Sequence, residues 1–155
     1  MPLVKRVMAA GISPQEFRAY AALVASSTLL QRAVEKNLRE QADLTQVQFE
    51  ILMNLSNAGD AGIRMAHLAD ALIVSRSGLS YQVAQLESRE WITRQRSTED
   101  ERGVVARITA KGERMRQRVF AGHTEIVRTA FLDAIEPSEL PTITAILERV
   151  VGRLR

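Results

Sequence analysis

The chain has 155 residues, of which 46% are hydrophobic and 25% charged, and its formal net charge is +3 at pH 7. These values are typical of a globular domain with a sizeable core, and the absence of cysteine excludes disulfides, thiolate metal sites and thiol catalysis. Because no apolar run is long enough to span a membrane and the start shows no secretory signal pattern, we predict a cytoplasmic protein with no membrane partner.

The first predicted element is a long helix. Ser13 is a suitable N-cap, Pro14 fits the first helical position, and Glu16 completes a capping box. Apolar residues then recur at helical spacing from Phe17 to about Gln41. A helix so much longer than the usual ~11–12 residues needs a partner to bury its apolar stripe.

A second helix and a short strand are predicted next. Thr45 and Gln48 form another capping box, and the residues at 57–60 are of types that end helices. Residues 62–64 then predict a small strand.

A helix-turn-helix motif follows the strand. Residues 66–72 predict a short helix, and residues 71–74 predict a tight turn. Ser75 is the expected N-cap of a further helix that ends near Arg89. A short helix, a tight turn and a second helix in this order are typical of DNA-binding proteins.

The second helix of this motif has two unlike faces. Leu79, Val83 and Leu86 repeat at the spacing of a buried stripe. The opposite face carries small or hydrogen-bonding residues with no acid among them: Ser77, Tyr81, Ala84, Gln85 and Ser88. Such side chains can reach phosphates and base edges in a major groove. An ordinary solvated helix face explains the same pattern equally well.

A β-hairpin is predicted after this helix. Residues 91–96 and 104–109 are strand-like, and the polar loop 97–103 separates them. Four arginines lie on the hairpin: Arg94, Arg96, Arg102 and Arg107. An arginine near the tip can enter a minor groove. Three neighbouring acids, at 99–101, favour the alternative of a charge-mixed surface loop.

Two helices are predicted at the end of the chain. The first runs over residues 110–135 and is ended by Pro137, and the second is an amphipathic helix that follows it. The apolar faces of the terminal helices exceed what one small domain can cover, so we expect a homodimer. The resulting division is a helical dimerisation segment at 1–43, a DNA-binding lobe at 44–109 and C-terminal dimerisation helices at 110–155.

The stretch from Leu44 to Gly112 resembles the MarR (multiple antibiotic resistance regulator) family. The matching pieces are Leu68-Ala69, Val74 to Ser80, Leu86-Glu87, Ile92 to Arg94, Asp100 to Arg102, and Ile108 to Gly112. The resemblance implies a mainly α fold with a small β-hairpin wing, a winged helix-turn-helix flanked by N- and C-terminal dimerisation helices. One departure is Glu90, where family members often have glycine before the strand.

The resemblance also implies a function and a set of DNA-binding residues. The function is sequence-specific binding of double-stranded DNA at a pseudo-palindromic site, by a transcriptional regulator that is usually a repressor relieved by a small-molecule effector. Arg102 is the expected minor-groove arginine of the wing, and Asp100 is expected to orient the wing through a nearby arginine. The remaining candidates are Ser75, Arg76, Ser77, Ser80, Tyr81, Gln85 and Arg94. The alternative is a winged-helix module for protein interaction or dimerisation that does not bind DNA.

No pattern in the sequence indicates an enzyme, a cofactor or a metal site. His67 and His123 lie far apart without metal-ligand spacing, and no glycine-rich phosphate loop is present. His123 shares an apolar helix face with Val119 and Ile126. It is either a partly buried structural histidine or a residue that lines an effector pocket, and the sequence leaves both open.

Overall fold

The structure is a computed structural model, and it describes residues 11–72, 74–96 and 103–154. The chain divides into two compact units. One unit is formed by Ala33–His123, and it contains the short helices and the strands. The other is formed by the described residues up to Arg32 together with those from Thr124 onward.

Six α-helices and three strands make up the described part of the chain. The helices are α1 (Pro14–Ala42), α2 (Gln46–Ala58), α3 (Met65–Leu72), α4 (Arg76–Ser88), α5 (Ala110–Ala130) and α6 (Leu140–Leu154). The strands are β1 (Ile63–Arg64), β2 (Ile92–Arg96) and β3 (Val104–Ile108), which pair antiparallel in the order β1-β3-β2. Short 3-10 turns cover Gly59–Ala61 and Leu132–Ala134. The predicted fold class, mainly α with a small β-hairpin wing, is therefore confirmed.

Both predicted capping boxes are confirmed. The Ser13 N–H donates to Glu16 Oε2 at 2.7 Å, and the Glu16 N–H donates to Ser13 Oγ at 3.2 Å. The same exchange joins Thr45 and Gln48 at 3.1 and 3.2 Å. Each box satisfies two backbone groups that a helix start leaves without intrahelical partners, so the starts of α1 and α2 are determined locally.

The hydrophobic core lies in the unit formed by Ala33–His123. Its fully buried large side chains come from helices α1 to α5, from the loop between α1 and α2, and from strand β2: Leu38, Leu44, Ile51, Leu52, Leu55, Leu68, Leu79, Val83, Leu86, Ile92 and Val119. Each such side chain stabilises the fold by about 1.5–3 kcal/mol relative to leaving it in water. Helix α4 and strand β2 of the hairpin are therefore packed into the same hydrophobic core.

The predicted end of the fifth helix was wrong. The sequence analysis extended it to residue 135, whereas α5 ends at Ala130 and a 3-10 turn follows. Phe131 leaves the helical region with φ −129° and ψ −57°. Arg128 in the last turn pairs with Asp133 beyond it at 3.4 Å. No glycine or proline lies at the end of the helix, so the sequence pattern alone extends the predicted helix towards Pro137.

Glu90 adopts the left-handed conformation that glycine usually provides in this turn. Its φ is 61°, its carbonyl accepts a hydrogen bond from Thr109 Oγ1 at 2.7 Å, and its carboxylate pairs with Lys111 Nζ at 2.6 Å. The departure from the family pattern therefore leaves the turn between α4 and β2 intact. The cost is a backbone conformation that disfavours a side chain by about 1–2 kcal/mol.

We expect Glu90→Gly to stabilise the protein by about 0.5–1 kcal/mol, because relief of the left-handed conformation outweighs the loss of an exposed ion pair. Urea denaturation measures the change. Glu90→Gln is the matched control, since it removes the ion pair and keeps the side chain in the same conformation. A Glu90→Gly protein less stable than Glu90→Gln would show that the turn carries no such strain.

An ion pair on α5 also joins that helix to α2. Arg116 Nη2 donates to Glu113 Oε1 at 2.6 Å, and Arg116 Nη1 contacts Met53 Sδ at 3.6 Å. The hydrogen bonds from Arg116 lower the pKa of Glu113 to about 2, with smaller contributions from Ser56 and Gln117. The folded state therefore binds the proton of Glu113 more weakly than the unfolded chain does.

This shift predicts an acid-dependent loss of stability. Because the folded pKa of Glu113 lies below the unfolded value, its contribution is present above pH 4.5 and is lost as the pH falls towards 2. We expect Glu113→Gln to cost about 1–2 kcal/mol at pH 7 and much less at pH 2.5, where the carboxyl of the wild type is itself being protonated. Urea titrations at both pH values measure the difference, and an equal cost at both would contradict it.

Candidate nucleic-acid interface

Helix α4 is held by its apolar face and leaves the opposite face in solvent. Leu79, Val83 and Leu86 are buried, and the helix packs against α2, α3 and β2. Its N-cap is Ser75, as predicted, whose Oγ accepts the Gly78 N–H at 3.1 Å. The opposite face is exposed at every position that the sequence analysis assigned to it: Ser77, Tyr81, Ala84, Gln85 and Ser88.

A cleft of about 410 Å³ lies beside α4 at the base of the wing. Three arginines line it, namely Arg64 from β1, Arg76 from the first turn of α4 and Arg94 from β2. Ser80 lines the same cleft. Arginines that line one concave surface suit an oxyanion such as a phosphate.

Sequence reasoning missed Arg64, which it treated only as part of a short strand. Strand β1 pairs with β3 in the register Ile63↔Ala106 and Arg64↔Val105. This pairing brings Arg64 to the wing, about 40 residues away along the chain. A cation immediately before a helix of the motif was the only signal in the sequence, and it was weak.

Arg94 joins the wing to helix α4. Its Nε and Nη2 donate to Glu87 Oε2 at 3.0 and 2.6 Å, and its backbone N–H donates to Glu87 Oε1 at 3.2 Å. The side-chain hydrogen bonds from Arg94 lower the pKa of Glu87. The pair neutralises Glu87, and the guanidinium keeps further N–H donors for another ligand.

The hairpin arginines do not share one surface. The register Thr93↔Arg107 and Arg94↔Ala106 puts Arg107 and Arg94 on opposite faces of the sheet. Arg107 donates to the Asp60 carbonyl at 2.8 Å and to Gln95 Oε1 at 3.2 Å. It therefore ties the wing to the turn before β1.

Comparison with known proteins identifies the family. A sequence profile of the MarR family matches residues 44–104. The HTH-type transcriptional regulator YpoP of Bacillus subtilis is 33% identical over 129 residues, which cover 79% of this chain and 89% of YpoP. AbsC, a MarR family transcriptional regulator from Streptomyces coelicolor, is 31% identical and superposes with a TM-score of 0.87 over 93% of this chain and 97% of AbsC. The chain belongs to the MarR family.

A second MarR family regulator from Streptomyces coelicolor, Sco3205, was solved in complex with DNA. It is 28% identical to this chain and superposes with a TM-score of 0.89 over 93% of this chain and 90% of Sco3205. The chain is thus a MarR family transcriptional regulator with a winged helix fold. Two of the predicted DNA-binding residues, Asp100 and Arg102, lie outside the described residues.

His123 lies where α5 packs on α2 in this MarR family protein. Its ring is 4.8 Å from the ring of Phe49 and tilted by 48°. The Nδ1 atom is buried without a hydrogen-bond partner in the described part of the chain. Burial lowers the pKa of His123, and the Glu50 carboxylate opposes the shift. These contacts place the His123 ring against Phe49 of α2.

Residues 11–72, 74–96 and 103–154 contain neither a candidate metal site nor a membrane-spanning helix. No three His, Asp or Glu side chains there are grouped closely enough to hold a metal ion. No helix in these ranges is long and apolar enough to cross a membrane.

Proposed function

We propose that this MarR family regulator binds double-stranded DNA in a sequence-specific manner through α4 and the wing. The observation that carries the proposal is the exposed, acid-free face of α4 beside a cleft lined by three arginines. A B-DNA major groove accepts an α-helix. On this account Tyr81 and Gln85 face base edges, and Ser75, Ser77 and Ser80 face the backbone.

The cleft is the proposed phosphate site. Arg64, Arg76 and Arg94 can donate paired hydrogen bonds to phosphates of the DNA backbone. Phosphate contacts orient a protein on the duplex, and contacts to base edges then read the sequence. The cleft adjoins α4, so a bound phosphate sets the depth at which the helix enters the groove. By its resemblance to the family, Arg102 adds a minor-groove contact.

The regulator is proposed to act as a homodimer on a pseudo-palindromic site. Helix α6 exposes apolar side chains of Ile146, Val150, Val151 and Leu154, the last of them 82% exposed. A second copy of the chain is the proposed cover for this face. Recognition helices about 34–36 Å apart then match half-sites one helical turn apart.

The wider functional proposal is that of a cytoplasmic repressor whose DNA binding is relieved by a small effector. Release requires that the effector prefer a dimer geometry with wrongly spaced recognition helices. The partly buried His123, with its unpartnered Nδ1, is the proposed effector contact. No enzymatic activity and no cofactor enter this account.

Fluorescence anisotropy with duplex DNA of mixed sequence tests the DNA-binding proposal. Because Glu87 already compensates the charge of Arg94, we count only Arg64 and Arg76 of each protomer. If these four arginines of a dimer each neutralise one phosphate, log K falls with log [salt] with a slope of about −4. Arg64→Ala then reduces the slope by about 2 per dimer. Arg39→Ala is the matched control, since Arg39 pairs with Glu35 on α1 and lines no part of the cleft. An unchanged slope in Arg64→Ala would remove Arg64 from the interface, and no salt-dependent binding would favour the module without DNA binding.

A further inference from the structure

The C-terminal end of helix α1 leaves backbone carbonyls that the helix itself does not satisfy. Asp43 follows the helix with φ 49°, and the N–H of the buried Leu44 donates back to the Leu38 carbonyl at 3.2 Å. This is a Schellman-type ending, in which the next N–H groups satisfy part of the last turn. The carbonyls of Ala42 and Asp43 need donors from elsewhere.

Arg89 supplies those donors. Its Nη1 donates to the Ala42 carbonyl at 3.2 Å and to the Asp43 carbonyl at 3.0 Å. Its Nη2 donates to Asp43 Oδ2 at 3.0 Å, and the guanidinium carbon lies 5.0 Å from the centre of the Trp91 ring. A planar group with a fixed fork of donors fits this arrangement, whereas a lysine ammonium lacks the plane and the fork.

Arg89 is also the residue at which α4 ends, since it is the C-cap of that helix. A cation at a helix C-terminus is favoured by the helix dipole. Here the guanidinium of Arg89, at the end of α4, donates hydrogen bonds to carbonyls at the end of α1. Helix α5 adds a second cation, because Arg118 donates to the Gln41 carbonyl. The ends of α1 and α4 are therefore fixed to each other through named hydrogen bonds.

We propose that Arg89 is a positioning residue that sets the angle between α1 and the recognition helix α4, and thereby the spacing of half-sites that the dimer accepts. The inference rests on the proposed function, because it needs a dimer that reads two half-sites. Helix α1 is continuous from Pro14 to Ala42, and Arg89 binds its C-terminal end. Arg89 does not line the cleft, and its guanidinium binds Ala42 and Asp43, so on this proposal it acts on spacing without reading bases.

The test separates spacing from recognition. Duplexes carry either one half-site or two half-sites whose separation is changed by up to 5 bp. We expect the wild type to prefer its best spacing by at least about 10-fold, within the usual range of coupling between sites. In Arg89→Ala that preference should fall to about 3-fold or less, while half-site affinity stays within about 2-fold of the wild type.

Two further variants complete the design. Asp43→Gly removes one partner of Arg89 and relieves the left-handed conformation, so it should fold even if Arg89→Ala does not, and it should show a partial loss of spacing preference. Arg39→Ala removes an exposed ion pair of the same helix and should leave the preference unchanged.

Two results would overturn the inference. One is a wild-type spacing preference in folded Arg89→Ala, or in Asp43→Gly if Arg89→Ala does not fold. The other is an equal loss of half-site and full-site affinity, which would make Arg89 merely structural. A wild-type dimer, confirmed by sedimentation, that binds no duplex would refute the proposed function, and the inference with it.

Discussion

Gly112→Ala should cost about 3 kcal/mol of folding free energy. Gly112 is buried in the first turn of α5. A Cβ there would overlap the Trp91 carbonyl oxygen and lie 2.8 Å from the carbonyl carbon of Trp91 and 3.0 Å from Ile108 Cγ1. Two of these three atoms belong to the backbone, so no side-chain rotation can make room.

The same carbonyl explains why the clash spreads beyond one contact. Trp91 O accepts the Thr109 N–H at 2.9 Å, and Thr109 Oγ1 accepts the Gly112 N–H at 3.0 Å. Moving the Trp91 backbone away from a methyl group at 112 would therefore break the hydrogen bond that holds Thr109 at the start of α5. The Thr-x-x-Gly part of the family motif thus has a packing role in this chain.

Urea denaturation compares Gly112→Ala with a matched control. Gly152→Ala makes the same change within helix α6, where a Cβ meets nothing within 4 Å. The control should gain about 0.5–1 kcal/mol from improved helix propensity. If Gly112→Ala were as stable as Gly152→Ala, the close packing of α5 on the Trp91 backbone would be wrong.

Ala84→Glu should weaken DNA binding by about 2–3 kcal/mol, or roughly 30–150-fold, and leave folding nearly unchanged. Ala84 lies within the exposed face of α4, between Tyr81 and Ser88. A glutamate there places a negative charge against phosphates and base edges. None of the residues that form this face carries a positive charge that could neutralise the glutamate.

Ala110→Glu is the control for charge. Ala110 is an exposed residue at the start of α5, where the helix dipole stabilises a negative charge. It lines no part of the cleft. Its affinity for duplex DNA should stay within about 3-fold of the wild type. Equal losses in both variants would mean that net charge, and not the face of α4, governs binding.

Local features of this chain could be predicted from the sequence because the two interacting residues lie within a few positions of each other. The capping boxes of Ser13 and Thr45 involve residues three apart, so their geometry follows from the helix start. The exposed face of α4 follows from the helical period, since Leu79, Val83 and Leu86 determine which side is buried.

Features that depend on tertiary pairing were not predictable in the same way. Arg64 reaches the wing only through the register of β1 with β3, and Arg89 reaches the end of α1 across 46 residues. Arg94 was predicted as a DNA contact, but its pairing with Glu87 depends on how β2 packs on α4. Periodicity shows which face of an element is buried and does not show which distant residue lies against it.

Selection from a random-sequence duplex library tests the central claim most directly. Wild-type protein and Ala84→Glu are carried through the same rounds of binding and sequencing. The account predicts that the wild type enriches an inverted repeat with half-site centres about 10 bp apart, while Ala84→Glu enriches it far less. No enrichment by the wild type, or the same enrichment by both proteins, would contradict sequence-specific recognition through α4.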